Sequence, residues 1–510
     1  MRILSRIILV CLLSILFSPQ FSDAIYTVQI ASLSGRQGVA DTISRLSDQG
    51  IKCFDIQQSG YIKIRCGSTE SYKKAEELKQ VLAASGYKDA FIVASSTKMK
   101  SEKTAAEQPI GEEGISGEIF ERRGGYFHPF LSITGYYTDN VFNTNDDEKD
   151  DYVAVISPGI WLSVPRIKEQ LFELTTSSVT PGGMSTTRLR KRFPRRYQTY
   201  LLYTADIEQF KKYSSENTIN HKIEGLFQYN FRGGLSVDLY EQFIKTHDER
   251  GTGVSTELDK YNTNLAGITA SYDISRRFRI RLDYSNYYVN YKDTRNDFRD
   301  RVDNSINTYL FYKFLPKTSA FVEYDYLDIH YRKGILDDSV EHHFLGGLQW
   351  EITGKSRGTA KAGYGIKDFE NSDIDTAREL FLELQLEHNF TPKTSLKLIG
   401  TRRTNETNIS VTDYILTHSI TAEYLQRLTS KISSAIDLSY QHDKYKGELT
   451  FGGKTDERKD NIYRASVAFD YGFRDWLKFD LGYIYTKRDS NFSDFDYTNN
   501  TVFFRVTGSL

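Results

Sequence analysis

The chain has 510 residues, with 66 Lys and Arg set against 67 Asp and Glu, and the resulting net charge of -1 gives no bulk preference for nucleic acid or anionic membrane surfaces. It carries 35 Tyr and 31 Phe beside 9 Pro and 3 Met, yet its mean hydropathy is -0.49. No segment approaches the roughly 20 uninterrupted apolar residues a transmembrane helix needs, whereas a polar mean with many aromatics suits strands that face lipid on one side and water on the other.

In chain order, the first element is a targeting segment. Arg2 and Arg6 supply a positive start, Ile7 to Phe17 is an unbroken apolar run, and Ser22-Asp23-Ala24 is a small-x-small cleavage site. Residues 1–24 therefore read as a signal peptide, with Ile25 opening the mature chain. Cys11 lies inside the apolar run after Val10, which argues against a lipid anchor. Only Cys53 and Cys66 then remain, so disulfides cannot be the framework of the fold, although export exposes both to an oxidising compartment.

Residues 25–96 form a compact α+β unit. YTVQIAS (26–32) and YIKIRC (61–66) alternate like strands, Gln37 to Gln49 and Ser71 to Ser85 carry apolar residues at helical spacing, and short strands near Phe54 and Ile92 complete a βαββαβ order. Alternation sends Val28, Ile30, Ile62 and Ile64 toward the helices and leaves Thr27, Gln29, Tyr61, Lys63 and Arg65 on the open sheet face. A hairpin about Ser59-Gly60 admits two registers. A two-residue loop sets Cys53 opposite Cys66 but puts Phe54 and Ile56 on the face of Lys63 and Arg65; a three-residue loop aligns them with Ile62 and Ile64. Burial of four apolar residues selects the second register and predicts free thiols on opposite faces.

The stretches YTVQIASL (26–33), GYIKIRCG (60–67) and YKDAFIV (87–93) resemble the first, third and last strands of the SPOR family, which binds peptidoglycan glycan strands. The resemblance implies a periplasmic domain with glycan contacts at Gln29, Ser32, Tyr61 and Lys63. Tyr61 and Lys63 stand where the family often has a larger aromatic and an arginine. An aromatic plate beside amide and cationic donors is suited to stacking on sugar rings and bonding their hydroxyls.

Residues 97–120 are Ser-, Thr-, Lys-, Glu- and Gly-rich and read as a linker. From there to residue 510 the signal is period two, punctuated by short turns at FRGG (231–234), SRR (275–277), LPKT (315–318), TGKS (353–356), TPKT (391–394), LQRL (425–428) and FRDW (473–476). Each interval holds two strands and a longer polar loop, the hairpin asymmetry of an outer-membrane barrel. Leu380, Leu382, Leu384, Leu386 and Phe390 share one face of their strand while Glu379, Glu383, Gln385 and Glu387 share the other; Ile432, Ile436, Leu438 and Tyr440 likewise oppose Lys431, Asp437 and Gln441. A sandwich would bury such charges without partners, so the fold class is mainly β: an antiparallel transmembrane barrel of about 18 strands over residues 121–510, behind the small α+β domain. Its inner face carries mixed charge, with Arg279, Arg281, Asp283, Glu383, Glu387, Asp437 and Lys478.

Parity places the amino-terminal domain, Leu510 and the unusually long connection Val164 to Arg196 on the periplasmic side. That connection contains RLRKRFPRR (188–196), in which Arg188, Arg190, Lys191, Arg192, Arg195 and Arg196 form either a solvated loop or a gate that meets an anionic chain at the barrel mouth.

No catalytic constellation stands out, and no cofactor is implied. GTG (251–253) is a lone loop pattern, His342-His343 point to opposite faces of one strand, and DDEKDD (146–151) lacks ordered calcium-ligand spacing, so no metal site is assigned. GYYTDNVFNT (135–144) followed by DYVAVISPGIWL (151–162) resembles the first hairpin of β-barrel porins associated with exopolysaccharide and capsule secretion, in which an Asp-Asn pair closes the first strand and Ser-Pro-Gly bends the second. Here these are Asp139-Asn140 and Ser157-Pro158-Gly159, and Gly159 would tolerate a bulge. The resemblance implies an outer-membrane channel for a secreted polysaccharide. Its expected partners are peptidoglycan, outer-membrane lipid, that polysaccharide and the barrel-assembly machinery, but not nucleic acid. A non-conducting barrel that ties the outer membrane to the cell wall and a general diffusion porin are the alternatives.

Overall fold

The computed structural model describes residues 24–33, 39–49, 51–58, 61–69, 72–87, 90–96, 126–165, 174–188, 195–253, 257–352, 355–371 and 373–509. The expected signal peptide and linker thus lie outside the described residues, apart from Ala24. The chain divides into two compact units, residues 1–101 and 102–510.

In the first unit β1 (Ala24–Leu33), α1 (Val39–Asp48), β2 (Cys53–Gln58), β3 (Tyr61–Thr69), α2 (Tyr72–Ala84) and β4 (Phe91–Ser96) follow one another in the expected βαββαβ order. The sheet runs β2-β3-β1-β4 with antiparallel neighbours. Val28, Leu46, Ile64, Cys66 and Leu82 are buried between the sheet and the helices, with Ile30 and Ile92 packed against them.

The cysteine expectation fails. Gln58 pairs with Tyr61 and Cys53 with Cys66, which is the two-residue register, and the two sulfurs are bonded at 2.13 Å. Phe54 accordingly lies opposite Arg65 and remains 41% exposed. The apolar gain expected from Phe54 is not realised on β2, an edge strand. Among its described side chains Cys53 packs on the core, where Cys66 is fully buried, and Phe54 does not. A covalent link at that point fixes the register that side-chain burial was supposed to choose.

The second unit is one closed antiparallel barrel of eighteen strands, each paired with its sequence neighbours. The first six are β5 (Phe127–Thr138), β6 (Asp151–Val164), β7 (Tyr197–Phe210), β8 (Thr218–Asn230), β9 (Leu235–His247) and β10 (Lys260–Asp273). There follow β11 (Phe278–Tyr291), β12 (Arg301–Leu315), β13 (Thr318–Tyr331), β14 (Ser339–Ile352), β15 (Ser356–Phe369) and β16 (Ala377–Thr391). The last six are β17 (Thr394–Glu406), β18 (Tyr414–Arg427), β19 (Ile432–Phe451), β20 (Lys454–Arg474), β21 (Leu477–Ser490) and β22 (Tyr497–Ser509). Leu380, Leu382, Leu384, Ile436 and Leu438 point outward and are exposed, whereas Asp238, Asp303, Glu341 and Asp443 point inward and are buried. Period two therefore yields an apolar outer band and a polar lumen, the division of a membrane barrel.

The motifs of the first hairpin act at the seam. β22 closes onto β5 from Thr501 opposite Thr138 to Ser509 opposite Phe130. Beyond that ladder the Asp139 carboxylate accepts from the Asn500 backbone N–H at 2.7 Å and from its side-chain amide at 2.6 Å, while Asn140, fully buried, donates to the Thr498 and Thr144 carbonyls. The Asp-Asn pair thus clasps the first strand to the last. At Ser157-Pro158 the ladder from β6 to β7 is interrupted, as Pro158 requires, yet the register is the same on both sides of the gap, so no residue is inserted. Gly159 is there for space instead of a bulge: a Cβ would lie 1.8 Å from the Phe130 ring.

The disulfide closes a span of 13 residues. Non-reducing mass spectrometry should find the two cysteine peptides joined and two hydrogens lighter. In the intact protein, Cys53→Ser/Cys66→Ser should speed amide exchange at Val28 and Leu82 by the equivalent of about 3 kcal/mol. Unaltered exchange would show that the link adds nothing to the stability of this unit.

Candidate functional site

The connection between β6 and β7 does not stay at the barrel mouth. Residues 174–188, LTTSSVTPGGMSTTR, fold as a small hairpin inside the lumen. Thr176 bridges Met184, Ser185 N–H donates to Thr175 O, and Gly183 N–H donates to Thr180 O. The turn uses Gly182 and Gly183 in succession at φ +68° and +83°, a conformation that side-chain-bearing residues rarely adopt. Gly183 also lies flat on the Tyr287 ring, where a Cβ would sit 2.5 Å from the ring carbons.

The hairpin runs between two unlike walls. On one side β6 to β11 present a continuous cluster of Trp161, Tyr200, Tyr240, Tyr261, Tyr287 and Tyr291, into which Leu174 and Met184 of the hairpin pack. Trp161 and Tyr200 stack at 4.7 Å with their planes 16° apart. On the other side β12 to β17 present charge. Gly182 N–H donates to Asp303 (2.9 Å), Arg301 reaches the Thr180 carbonyl, and the Arg403 guanidinium reaches the Met184 and Ser185 carbonyls at 3.1 and 2.7 Å. Thr187 gives its N–H and its hydroxyl to Glu383 at 2.9 and 3.1 Å and accepts from Lys361 and from the Gln385 amide. The apex meets the extracellular strand ends, where Ser178 donates to Asp248 (2.8 Å) and the Glu406 N–H donates to Val179 O (2.7 Å).

Many of the charges of the lumen are matched within it. Three strands carry Arg-x-Asp on their inner face, and period two brings each pair together: Arg281 with Asp283 (2.8 Å), Arg301 with Asp303 (3.1 Å) and Arg458 with Asp460 (3.0 Å). Lys367 lies between Glu341 (3.0 Å) and Glu406 (2.6 Å), and Lys361 between Glu323 (2.7 Å) and Glu383 (3.4 Å).

At the extracellular mouth a second segment reaches inward. The GTG motif (251–253), to which the sequence assigned no role, offers its carbonyls to two strands and a loop far along the chain: Arg488 donates to Gly251, Asn408 to Thr252 and Arg458 to Gly253. Arg250 of the same loop pairs with Glu216 and lies over the Phe142 ring at 4.9 Å. In the neighbouring loop, burial disfavours the charge of Arg299, but Tyr291, Asp248 and Asp259 more than offset this, so its pKa stands above the ordinary guanidinium value. It thereby holds Asp248, the anchor of the hairpin apex, at 2.8 Å.

The residues singled out from sequence have separate fates. Arg188 is not at the mouth with the other cations. It ends the hairpin, buried in the lumen, paired with Asp238 at 3.1 Å and set over the Tyr240 ring at 4.8 Å. Arg195 and Arg196 are exposed at the start of β7, where Arg196 bonds the Tyr229 hydroxyl at 2.7 Å. Arg190, Lys191 and Arg192 lie outside the described residues. Charge density made one group of six positions that the hairpin divides. The acidic run 146–151 pairs locally, with Asp150 on Lys212 at 2.6 Å, and Asp151 caps the next loop by accepting from the Lys212 and Tyr213 backbone N–H groups. His343 faces the lumen beside Glu341 while His342 meets the Tyr324 hydroxyl on the outer face.

In the amino-terminal unit Gln29 pairs with Arg65 and Ser32 with Lys63 across β1 and β3. Residues three apart fall on opposite faces of a regular strand. The register shift between Gln29 and Ala31 brings Ser32 back to the face of Gln29, so the backbone sets Gln29, Ser32, Tyr61 and Lys63 on one side of the sheet. That face is less open than expected, since Arg65 Nε donates to Gln29 at 3.4 Å and both side chains are largely covered.

Arg301 and Asp303 are almost wholly buried. Arg301→Met should lower barrel stability in urea by about 3 kcal/mol or more, because Asp303 is left as an uncompensated charge. Arg301→Met/Asp303→Leu should recover much of that loss, and equal losses in the two variants would show that the pair is not what matters.

Residues 187–509 match the family described as "Putative beta-barrel porin 2", and residues 22–94 match the SPOR domain. No curated protein matches the chain. Among solved structures it is similar to OpdK of Pseudomonas aeruginosa, crystallised with vanillate, at 9% identity and TM-score 0.38 over 75% of this chain and 99% of that one. It is also similar to OccAB4 of Acinetobacter baumannii, at 10% identity and TM-score 0.38 over 76% and 99%. The protein belongs to the "Putative beta-barrel porin 2" family, and is an outer-membrane barrel that carries a SPOR domain on its periplasmic side.

Proposed function

We propose that this protein is a conduit through which a polysaccharide leaves the cell, held to peptidoglycan by its SPOR domain. The observation that carries the reading is the lumenal hairpin 174–188. It is seated by hydrogen bonds and one ion pair to lumen side chains, with no cross-link to the wall among the described residues, so it can be displaced without breaking the wall. An unobstructed diffusion porin needs no such segment. The same hairpin gives a second reading some support, that of a barrel whose task is purely to anchor the outer membrane, since buried polar contacts of this number could hold it in place permanently.

Gln29, Ser32, Tyr61 and Lys63 are the proposed glycan contacts of the SPOR domain, where a flat aromatic and cationic or amide donors suit sugar rings and muropeptide carboxylates. Outer-membrane lipid surrounds the barrel, the barrel-assembly machinery inserts it, and nucleic acid has no part. Arg195 and Arg196 remain candidates for guiding a polymer at the periplasmic end, a role that Arg188, already paired inside, does not share.

Replacing Leu174–Arg188 by a short Gly-Ser turn should raise single-channel conductance severalfold in planar bilayers while leaving heat-modifiable gel mobility unchanged, and loss of the gene should stop release of the polymer. A channel of parental conductance would favour the anchoring barrel. Separately, the full-length protein should sediment with purified sacculi and Tyr61→Ala/Lys63→Ala should not; equal sedimentation would move the glycan site elsewhere.

A further inference from the structure

The hairpin has an unusual composition for something packed inside a protein. Of the fourteen residues 175–188, eight carry hydroxyls. Four of those hydroxyls donate to side-chain acceptors of the barrel: Thr176 to Gln242 (2.9 Å), Ser178 to Asp248 (2.8 Å), Thr187 to Glu383 (3.1 Å) and Thr180 to Asn405 (3.4 Å). Its flattest part, Gly183, rests on the face of Tyr287. Hydroxyls on carboxylates and amides, with a flat non-aromatic surface on an aromatic ring, are the contacts a pyranose chain makes.

The surface beneath the hairpin is also continuous along the pore. Trp161 and Tyr200 lie near the periplasmic ends of β6 and β7, Tyr240 lies farther in on β9, Tyr287 lies toward the outer end of β11, and Tyr291 is its last residue. Of the acids beside this lane, Asp303 and Asp248 keep cations of the barrel itself, Arg301 and Arg299, when the hairpin leaves, while Asp238 is paired by the hairpin's own Arg188. A ligand lying there is asked for hydroxyls and ring faces, and Asp238, bared when Arg188 leaves, disfavours a polyanion.

We propose that the lane from Trp161 through Tyr200, Tyr240 and Tyr287 to Tyr291 is a carbohydrate-binding surface for an uncharged glycan, and that the hydroxyl-rich hairpin is its built-in stand-in, occupying the lane until a glycan displaces it. This rests on the conduit reading and names the ligand class of the same lumen.

The test uses the full-length protein with Leu174–Arg188 replaced by the Gly-Ser turn, in bilayers and in micelles, with maltohexaose, cellohexaose and tetragalacturonate as probes. At least one neutral hexasaccharide should interrupt the current, more weakly in the parent, where the hairpin competes. Trp161→Ala or Tyr240→Ala should weaken the block about tenfold. In micelles the same sugar should change tryptophan emission, and Trp161→Phe should abolish the change although Trp350 and Trp476 remain. An open channel that neither hexasaccharide blocks, that the alanine variants block equally well, or that tetragalacturonate blocks best overturns the lane and leaves the conduit standing. A channel that stays closed while the emission change persists overturns the conduit and spares the lane.

Discussion

A stretch of polypeptide placed inside a barrel brings backbone N–H and C=O groups that have left water and must be satisfied there. In this protein that constraint shapes the lumen. Almost every turn of the hairpin finds a side chain waiting: Gln242 for the Leu174 carbonyl, Tyr287 for Ser177, Arg301 for Thr180, Asp303 for the Gly182 N–H, Arg403 for Met184 and Ser185, and Arg281 for Arg188. These side chains come from β9 to β17, so half the barrel is arranged around a segment belonging to neither of its surfaces.

The residues that perform this service are charged, and a charge in a confined lumen needs a partner of its own. The Arg-x-Asp pattern supplies one from the same strand, two residues away, with no dependence on the register of a neighbour. An arginine so held still has donors to spare, because its fork engages the aspartate with part of its edge and leaves the rest for a carbonyl of the hairpin or of the outer loop. Glu341, Glu406 and Lys367 solve the same problem across three strands.

Much of this was legible in the sequence, and for identifiable reasons. Strand number, turn positions and the inward face of Glu383 or Asp437 follow from period two, which is written locally. The SPOR-like unit was legible from its strands and helical spacing. What alternation alone could not supply were features decided by distant partners. The bulge that returns Ser32 to the face of Gln29 depends on β3, and the cysteine register depends on which face of an edge strand the helices cover. The placement of Arg188 depends on Asp238 and Arg281. The density of RLRKRFPRR drew attention to charge, whereas the informative text was the hydroxyl-rich stretch with Pro181-Gly182-Gly183 just before it.

The position of the hairpin in the chain carries a consequence for how the molecule is made. It lies between the second and third strands of the barrel, yet the wall closes when β22, the last strand, meets β5, and the Asp139 clasp on Asn500 belongs to that same seam. Both ends of the hairpin are tied to strands, so it cannot be threaded through a finished pore by a free end. It is more simply enclosed than inserted: the sheet curls around the segment, which has to lie inside before β22 meets β5. The hairpin is then a mandrel for its own enclosure, and closing the seam is what locks it in.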